Sequence, residues 1–277
     1  MTAEPRSESD YSQRQTEAAH RVLIDIGQVL ASFTDSMVLV GGWIPDLLLA
    51  DVEPPHVGSI DVDIALDAEK LNDGSYADLI QLLLNTRRYQ QGTKEFQLVV
   101  TVDLGDQGVP IQVDVEFLAP KEVKLKKHDP KLLNGFRVLQ VDSASEAFRD
   151  PVSLNQTGKS VNGADNTVRW RVASLASFLV MKAHAIGGRD KPKDTYDLCY
   201  CLDYRSDNME TLAEKWKQRL DEKNIVKAVQ ILREKFASVN AFGPQQFVEF
   251  HNAADDETRA MQAQRAFQLV QKFLSLL

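Results

Sequence analysis

The sequence predicts an α+β protein, with a mixed α/β first half followed by an all-helical second half. Three observations carry this. Met37–Val40 is a short apolar run that enters Gly41-Gly42, the pattern of a buried strand ending in a turn. Ser59–Leu66 and the pair Phe96–Val102 and Val109–Phe117 alternate with period two, the pair flanking Gly105-Asp106-Gln107-Gly108 as a hairpin does. After Ala173 only helical periodicity remains, over Ala173–Ile186, Asp194–Tyr204, Met209–Glu222, Ile225–Phe236, Pro244–Asn252 and Asp256–Leu277.

The remaining elements follow in order. The polar residues up to about Asp10 are expected to fray. Between Tyr11 and Phe33, Ala18, Val22, Leu23, Ile26, Val29, Leu30 and Phe33 recur at helical spacing. Trp43–Ala50 reads as a short helix with Pro45 in its first turn, where proline is tolerated. Tyr76–Thr86 is amphipathic, with Leu79, Ile80, Leu83 and Leu84 on one side. From Pro120 to about Gly163 the pattern is irregular and locally basic through Lys121, Lys124, Lys126, Lys127, His128 and Lys131, with a strand pair read at Phe136–Val141 and Thr167–Val172. The organisation is therefore residues 1–125, a strand-bearing connector 126–172, and a helical domain 173–277.

The 277 residues carry 32 Lys and Arg against 40 Asp and Glu, so 32 − 40 gives a net charge of −8. That excludes a surface that binds nucleic acid everywhere and leaves room for a local basic strip. The only cysteines, Cys199 and Cys201, lie two apart on a predicted helix with no second Cys/His pair, so they are packing residues in a reducing cytosol and not a zinc site. No apolar run reaches membrane-spanning length, and the polar N-terminus lacks a hydrophobic signal region. A cytoplasmic protein is expected.

The chemistry concentrates in two places. Asp61 and Asp63 stand at i and i+2 of a strand and so face one way. Burying two bare carboxylates on one strand face is costly, so a binding role is expected there. Beside a glycine turn, whose backbone approaches phosphate closely, they suit a magnesium-bound nucleoside triphosphate. In Ile111–Phe117, Gln112, Asp114 and Glu116 face opposite to the apolar set. If this strand lies beside Ser59–Leu66, a third acid joins the pair, with Asp114 the choice and Glu116 the reserve. Three carboxylates can hold two Mg²⁺ about 4 Å apart for in-line attack on phosphorus, and the third can accept the attacking hydroxyl's proton. The second place is Lys182, on an otherwise apolar helix that leads into Arg189, Lys191 and Lys193. A buried lysine needs an anionic partner, either a triphosphate or a structural carboxylate such as Asp197. Asp194 is expected to cap the following helix.

With these residues in view, the chain resembles the nucleotidyltransferase superfamily with the polymerase-β-like palm, and within it most closely the AbiEii-type toxin branch. The resemblance rests on Gly41-Gly42, on His56-Val57-Gly58-Ser59-Ile60-Asp61-Val62-Asp63, and on Lys182 through Arg189, Lys193, Asp194 and Asp197-Leu198, in that order. The family's arginine after the histidine is Val57 here, which removes any contact it would make. The resemblance implies a palm (a mixed or antiparallel sheet with flanking helices) over residues 1–125. It implies Mg²⁺ or Mn²⁺ on Asp61 and Asp63, with Asp114 the third ligand on the strand argument alone. It implies nucleotide contacts at Gly41, Gly42, Ser59, Lys182, Arg189 and Lys193, and an active-site role for Asp197.

The expected reaction moves a nucleoside monophosphate from ATP or another nucleoside triphosphate to an acceptor hydroxyl, with Asp114 as base and Lys182 neutralising phosphate charge. Toxin-type relatives imply an RNA acceptor, tRNA in particular, and an antitoxin partner, with Lys121–Lys131 and Arg189–Lys193 as RNA-facing charges. Gly41-Gly42-Trp43 is also similar to antibiotic nucleotidyltransferases, whose acceptor is a small-molecule hydroxyl, because palm identity does not choose the acceptor. A non-catalytic nucleotide-binding module is the alternative from another class.

Overall fold

The computed structural model describes residues 4–67, 70, 75–121, 136–204 and 209–277. The chain divides into two compact units. One comprises Ser12–Ile44 and Gly58–Ser174; the other comprises the N-terminal segment to Tyr11, Pro45–Val57 and Leu175–Leu277.

The first unit is a mixed sheet with helices on one face. Helix α1 (Gln13–Val29) starts at Ser12, whose side chain accepts from the Gln15 amide while Gln15 reaches back to the Ser12 amide, a reciprocal cap. The chain then forms β1 (Met37–Val40), leaves this unit through α2 (Trp43–Leu48), most of which belongs to the other unit, and returns as β2 (Asp61–Leu66). Helix α3 (Ser75–Asn85) leads to β3 (Tyr89–Gln91), β4 (Gln97–Val102), β5 (Ile111–Pro120), β6 (Leu139–Val141), β7 (Val152–Lys159) and β8 (Asp165–Val172). The spatial order is β3-β4-β5-β2-β1-β8-β7, with β6 also on β5.

The expected hairpin forms, with Val102 opposite Ile111. The strand pair read at Phe136–Val141 and Thr167–Val172 does not. β6 instead pairs with β5, while β8 lies between β1 and β7. Strands β3 and β7 went unread because both are short on apolar alternation: β7 is an edge strand whose residues are mostly exposed or half-exposed. Three strands from the region read as a connector thus complete this sheet.

Register fixes which face each side chain takes, because partners across a ladder share a face. Leu39 pairs with Ile64 and with Val172, and Ile64 pairs with Phe117. That face therefore carries Val62, Ile64, Val113, Val115, Phe117, Val168, Trp170 and Val172, all buried. α1 covers it. A Cβ on Gly27 would lie 2.9 Å from both Val168 Cβ and Trp170 Nε1, so a glycine is what lets α1 approach β8. Asp25, buried on the same helix, is paired with Arg88 at 2.9 Å and accepts a hydrogen bond from the Tyr89 hydroxyl at 2.7 Å.

The second unit contains α4 (Leu175–Gly188), α5 (Pro192–Asp203), α6 (Met209–Lys217), α7 (Lys223–Lys235), α8 (Phe242–His251) and α9 (Asp256–Ser275). All six helices expected from periodicity are present. Trp216 is fully buried, edge-on to Phe273 at 5.1 Å, with its indole N–H on the Ala176 carbonyl at 3.0 Å. Cys199 and Cys201 are free and buried, and burial pushes both thiols up, as expected of packing residues. Among the described residues no helix is long and apolar enough to cross a membrane.

Candidate functional site

The face of the sheet opposite α1 carries the acids. β2 and β5 run parallel as neighbours, with Asp61 opposite Asp114 and Asp63 opposite Glu116. The period-two pleat puts all four carboxylates on this one face. Each is half-buried, between the core and solvent. The condition set for a third acid, that Ile111–Phe117 lie beside Ser59–Leu66, is met. Both Asp114 and Glu116 share the face of Asp61 and Asp63.

Local contacts hold these carboxylates in place. The buried Ser59 hydroxyl donates to Asp61 Oδ1 at 2.6 Å, and the Trp43 indole N–H donates to the Asp61 carbonyl at 2.8 Å. Asp63 pairs with Val40, the residue before the glycine turn. Gly41 has φ +75°, and a Cβ there would lie within 3.0 Å of the Cβ and Cγ of Asp63. The turn therefore needs glycine twice, for its left-handed backbone and for its closeness to the carboxylate.

Two residues outside the sequence reading complete this face. Buried Gln97, opposite Glu116 on β4, donates from Nε2 to Asp114 Oδ2 at 2.8 Å and to Glu116 Oε1 at 3.3 Å. Lys94, in the turn before β4, donates to Glu116 Oε1 at 2.7 Å. Partial burial alone would lower the Lys94 pKa, but the hydrogen bond to Glu116 and the charges of Glu116, Asp114 and Asp63 raise it. A Gln directly before the apolar run Leu98–Val100 was the only available signal for Gln97; Lys94 gave none.

The ligand chemistry fits a hard divalent cation, since every donor is a carboxylate or hydroxyl oxygen. Asp61 and Asp63 could hold such an ion from neighbouring positions on β2. Among the described residues no three His, Cys, Asp or Glu side chains are gathered into a metal cage. Asp114 is engaged by Gln97 and Glu116 by Lys94.

The helical unit contains the second group. Lys182 is buried, with Nζ 2.7 Å from both Asp194 Oδ1 and Asp197 Oδ2. Arg189 also binds Asp194, Nε to Oδ2 at 2.6 Å and Nη2 to Oδ1 at 2.9 Å. Lys193 donates to Asp197 Oδ1 at 2.7 Å. Burial alone would raise both aspartates and lower the lysine. The Lys182 charge, with Arg189 on Asp194 and Lys193 on Asp197, reverses this. Asp194 falls to about 2, Asp197 goes well below the usual carboxylate range, and Lys182 rises.

His56 completes the cluster, in Pro45–Val57 of the same unit. Its Nε2 lies 2.9 Å from Asp197 Oδ1, and its ring stacks on Tyr196 at 5.2 Å and meets the edge of Tyr200 at 4.9 Å. Burial, with the Lys193 charge, lowers its pKa to about 4, so at neutral pH the ring is uncharged and Nε2–H donates to the carboxylate. His56 stood in the sequence motif without a role; only the fold pairs it with Asp197.

One expectation is corrected here. Asp194 does not cap α5. That helix starts at Pro192, which presets its first φ, with Lys191 at the cap position, and Asp194 lies in the first turn with its carboxylate on Lys182 and Arg189. Most of the basic stretch Lys121–Lys131 lies outside the described residues; Lys121 pairs with Asp142 at 3.0 Å.

A mixed sheet bearing an Asp-x-Asp strand beside a Gly-Gly turn defines a nucleotidyltransferase class of protein. The family model described as nucleotidyl transferase AbiEii toxin, Type IV TA (toxin–antitoxin) system, matches residues 26–273, and the chain belongs to this family. Membership makes the protein a transferase acting on a nucleotide and implies an antitoxin partner. Among solved structures, the chain is similar to an antigenic nucleotidyltransferase-like protein from Paracoccidioides brasiliensis, with 18% identity, 78% of this chain and 94% of that chain covered, and a TM-score of 0.39. No curated protein matches the chain.

Proposed function

We propose that the protein is a Mg²⁺- or Mn²⁺-dependent nucleotidyltransferase that moves a nucleoside monophosphate from a nucleoside triphosphate to an acceptor hydroxyl. The single observation that carries this is the parallel β2–β5 register, which sets Asp61 and Asp63 across from Asp114 and Glu116 on one face, against Gly41. A divalent ion held by Asp61 and Asp63 would neutralise charge developing on the transferred phosphoryl group. Ser59 keeps the Asp61 carboxylate aimed. Asp114, third ligand or base, would accept the acceptor's proton after exchanging its bond to Gln97. Gly41 and Gly42 let backbone amides approach the phosphates.

The family motif supports assigning triphosphate contacts to Lys182, Arg189 and Lys193, and a positioning role to Asp197, which holds Lys182 and Lys193. An RNA end, tRNA in particular, is our reading of the acceptor, by likeness to toxin-type relatives.

The test incubates the purified protein with Mg²⁺, each α-labelled nucleoside triphosphate in turn, and total RNA. Label transferred to an RNA band supports the reading. Label on a small-molecule hydroxyl alone would move the acceptor to the drug-modifying class. No transfer from any of the four nucleotides, with Mg²⁺ or Mn²⁺, would refute it.

A further inference from the structure

We propose that Lys94 is a resident counter-cation of the carboxylate face, held on Glu116 when no metal is bound and displaced from it by the divalent ion. The proposal rests on the metal-site reading above and goes one step past it, to what offsets the repulsion among the four acids. Four carboxylates on adjacent strands repel one another at neighbouring-strand spacing. The fold answers this from β4 and the turn before it. Gln97 bridges Asp114 and Glu116 with one amide group, and Lys94 places an ammonium 2.7 Å from Glu116.

The turn is built for that placement. The Gly92 amide donates to the Gln97 carbonyl at 2.8 Å and the Gln97 amide to the Lys94 carbonyl at 3.2 Å, which brings Lys94 back over the strand ends. A Cβ on Gly92 would lie 2.8 Å from Gln97 Cγ, so the tight loop and the bridging amide need each other. The Lys94 side chain is 53% exposed, against 18% for Glu116. It can therefore swing into solvent at little cost, while the acid it leaves stays on the face.

Two positive charges cannot comfortably share this face. A divalent cation on Asp61 and Asp63 makes the neighbouring ammonium unfavourable, and Lys94 in turn weakens metal binding. Removing Lys94 should then tighten it.

The test is Mn²⁺ titration of the nucleotide-free full-length protein, with free Mn²⁺ read by electron paramagnetic resonance, on wild type, Lys94→Met, Lys94→Arg and Asp63→Asn. Removing one unit charge a few ångströms from a divalent ion at a half-exposed site should tighten Lys94→Met by about fivefold to tenfold. Lys94→Arg keeps the charge and should stay within about twofold of wild type on the same Coulomb argument. Asp63→Asn should bind much more weakly. Mn²⁺ affinity in Lys94→Met equal to or weaker than wild type, with Asp63→Asn impaired, overturns the counter-cation role and leaves the metal site standing. Asp63→Asn binding as well as wild type, or no binding in either wild type or Lys94→Met, overturns the metal site and this proposal with it.

Discussion

Lys182→Ala, with Lys182→Met as its volume-conserving partner, probes the ion cluster of the helical unit. Both substitutions remove an ammonium that lies 2.7 Å from two carboxylates, neither more than 1% exposed. Among the contacts described above, Asp194 keeps Arg189, itself 55% exposed, and Asp197 keeps Lys193 and His56. Breaking a buried pair from one side typically costs about 3–5 kcal/mol, because the remaining charge is left under-compensated. The surviving partners place the expectation near 3 kcal/mol, still a large share of the ~5–15 kcal/mol that holds a folded chain together. At about 2–4 °C per kcal/mol, melting should fall by roughly 6–12 °C. The assay is thermal unfolding by circular dichroism at pH 7, with nucleotidyl transfer measured well below the lowered midpoint. If Lys182 also meets phosphate, transfer should drop at least about a hundredfold while the protein is still folded, matching ~2–4 kcal/mol of lost transition-state stabilisation. A Lys182→Met melting shift under about 2 °C would refute the buried-cluster reasoning, since surface pairs are worth only that much. Full transfer in the folded variant would confine Lys182 to a structural role.

Four further outcomes follow. His56→Gln keeps a donor toward Asp197 but cannot titrate; in wild type the unfolded histidine protonates below its ordinary 6.5 while the folded one resists to about 4. Stability should therefore fall as pH drops from about 6.5 to about 4, by about 3 kcal/mol from this group, and His56→Gln should remove about one proton's worth of that slope in urea titrations. Asp194 works in a lower window: its folded pKa of about 2, below the ordinary 3.8, means its contribution holds above pH 3.8 and disappears as pH falls to 2, so Asp194→Asn should flatten acid unfolding there. Gly41→Ala must carry a side chain at φ +75° and push Asp63 aside, so it should cost about 1–3 kcal/mol and lower both metal affinity and transfer. Asp114→Asn and Glu116→Gln, compared in single-turnover transfer, decide the third acid: a loss of about a hundredfold or more in Asp114→Asn alone supports it as base, and the reverse ranking moves the role to Glu116.

Much of the fold was legible because its periodicities are local. The six C-terminal helices, the helix read between Tyr11 and Phe33, which forms over Gln13–Val29, and the central hairpin each show their own spacing, and each formed. Strand β7 hid because an exposed edge strand needs no apolar alternation, and β8 was paired wrongly because strand partners are chosen by the sheet and not by neighbours in sequence. In the candidate site, Asp61 and Asp63 announced themselves as two acids on one strand face. Gln97, Lys94 and the partnership of His56 with Asp197 did not, since each depends on contacts 17 to 141 residues away or on a turn geometry.

The sequence by itself determined the α+β order, the Asp-x-Asp strand after a Gly-Gly turn, and the need of Lys182 for an anion, because strand pleat, glycine backbone freedom and the cost of a buried charge act locally. Only the tertiary structure decided that β5 runs parallel beside β2, so that Asp114 faces Asp61 and Glu116 faces Asp63. It alone decided that Asp194 and Asp197, and not solvent, receive Lys182. The physical reason is the same in both cases. A side chain's face follows from its own strand or helix, but its partner follows from which other element packs there, and that is settled by burying the apolar faces of the whole sheet and of the whole helix bundle together.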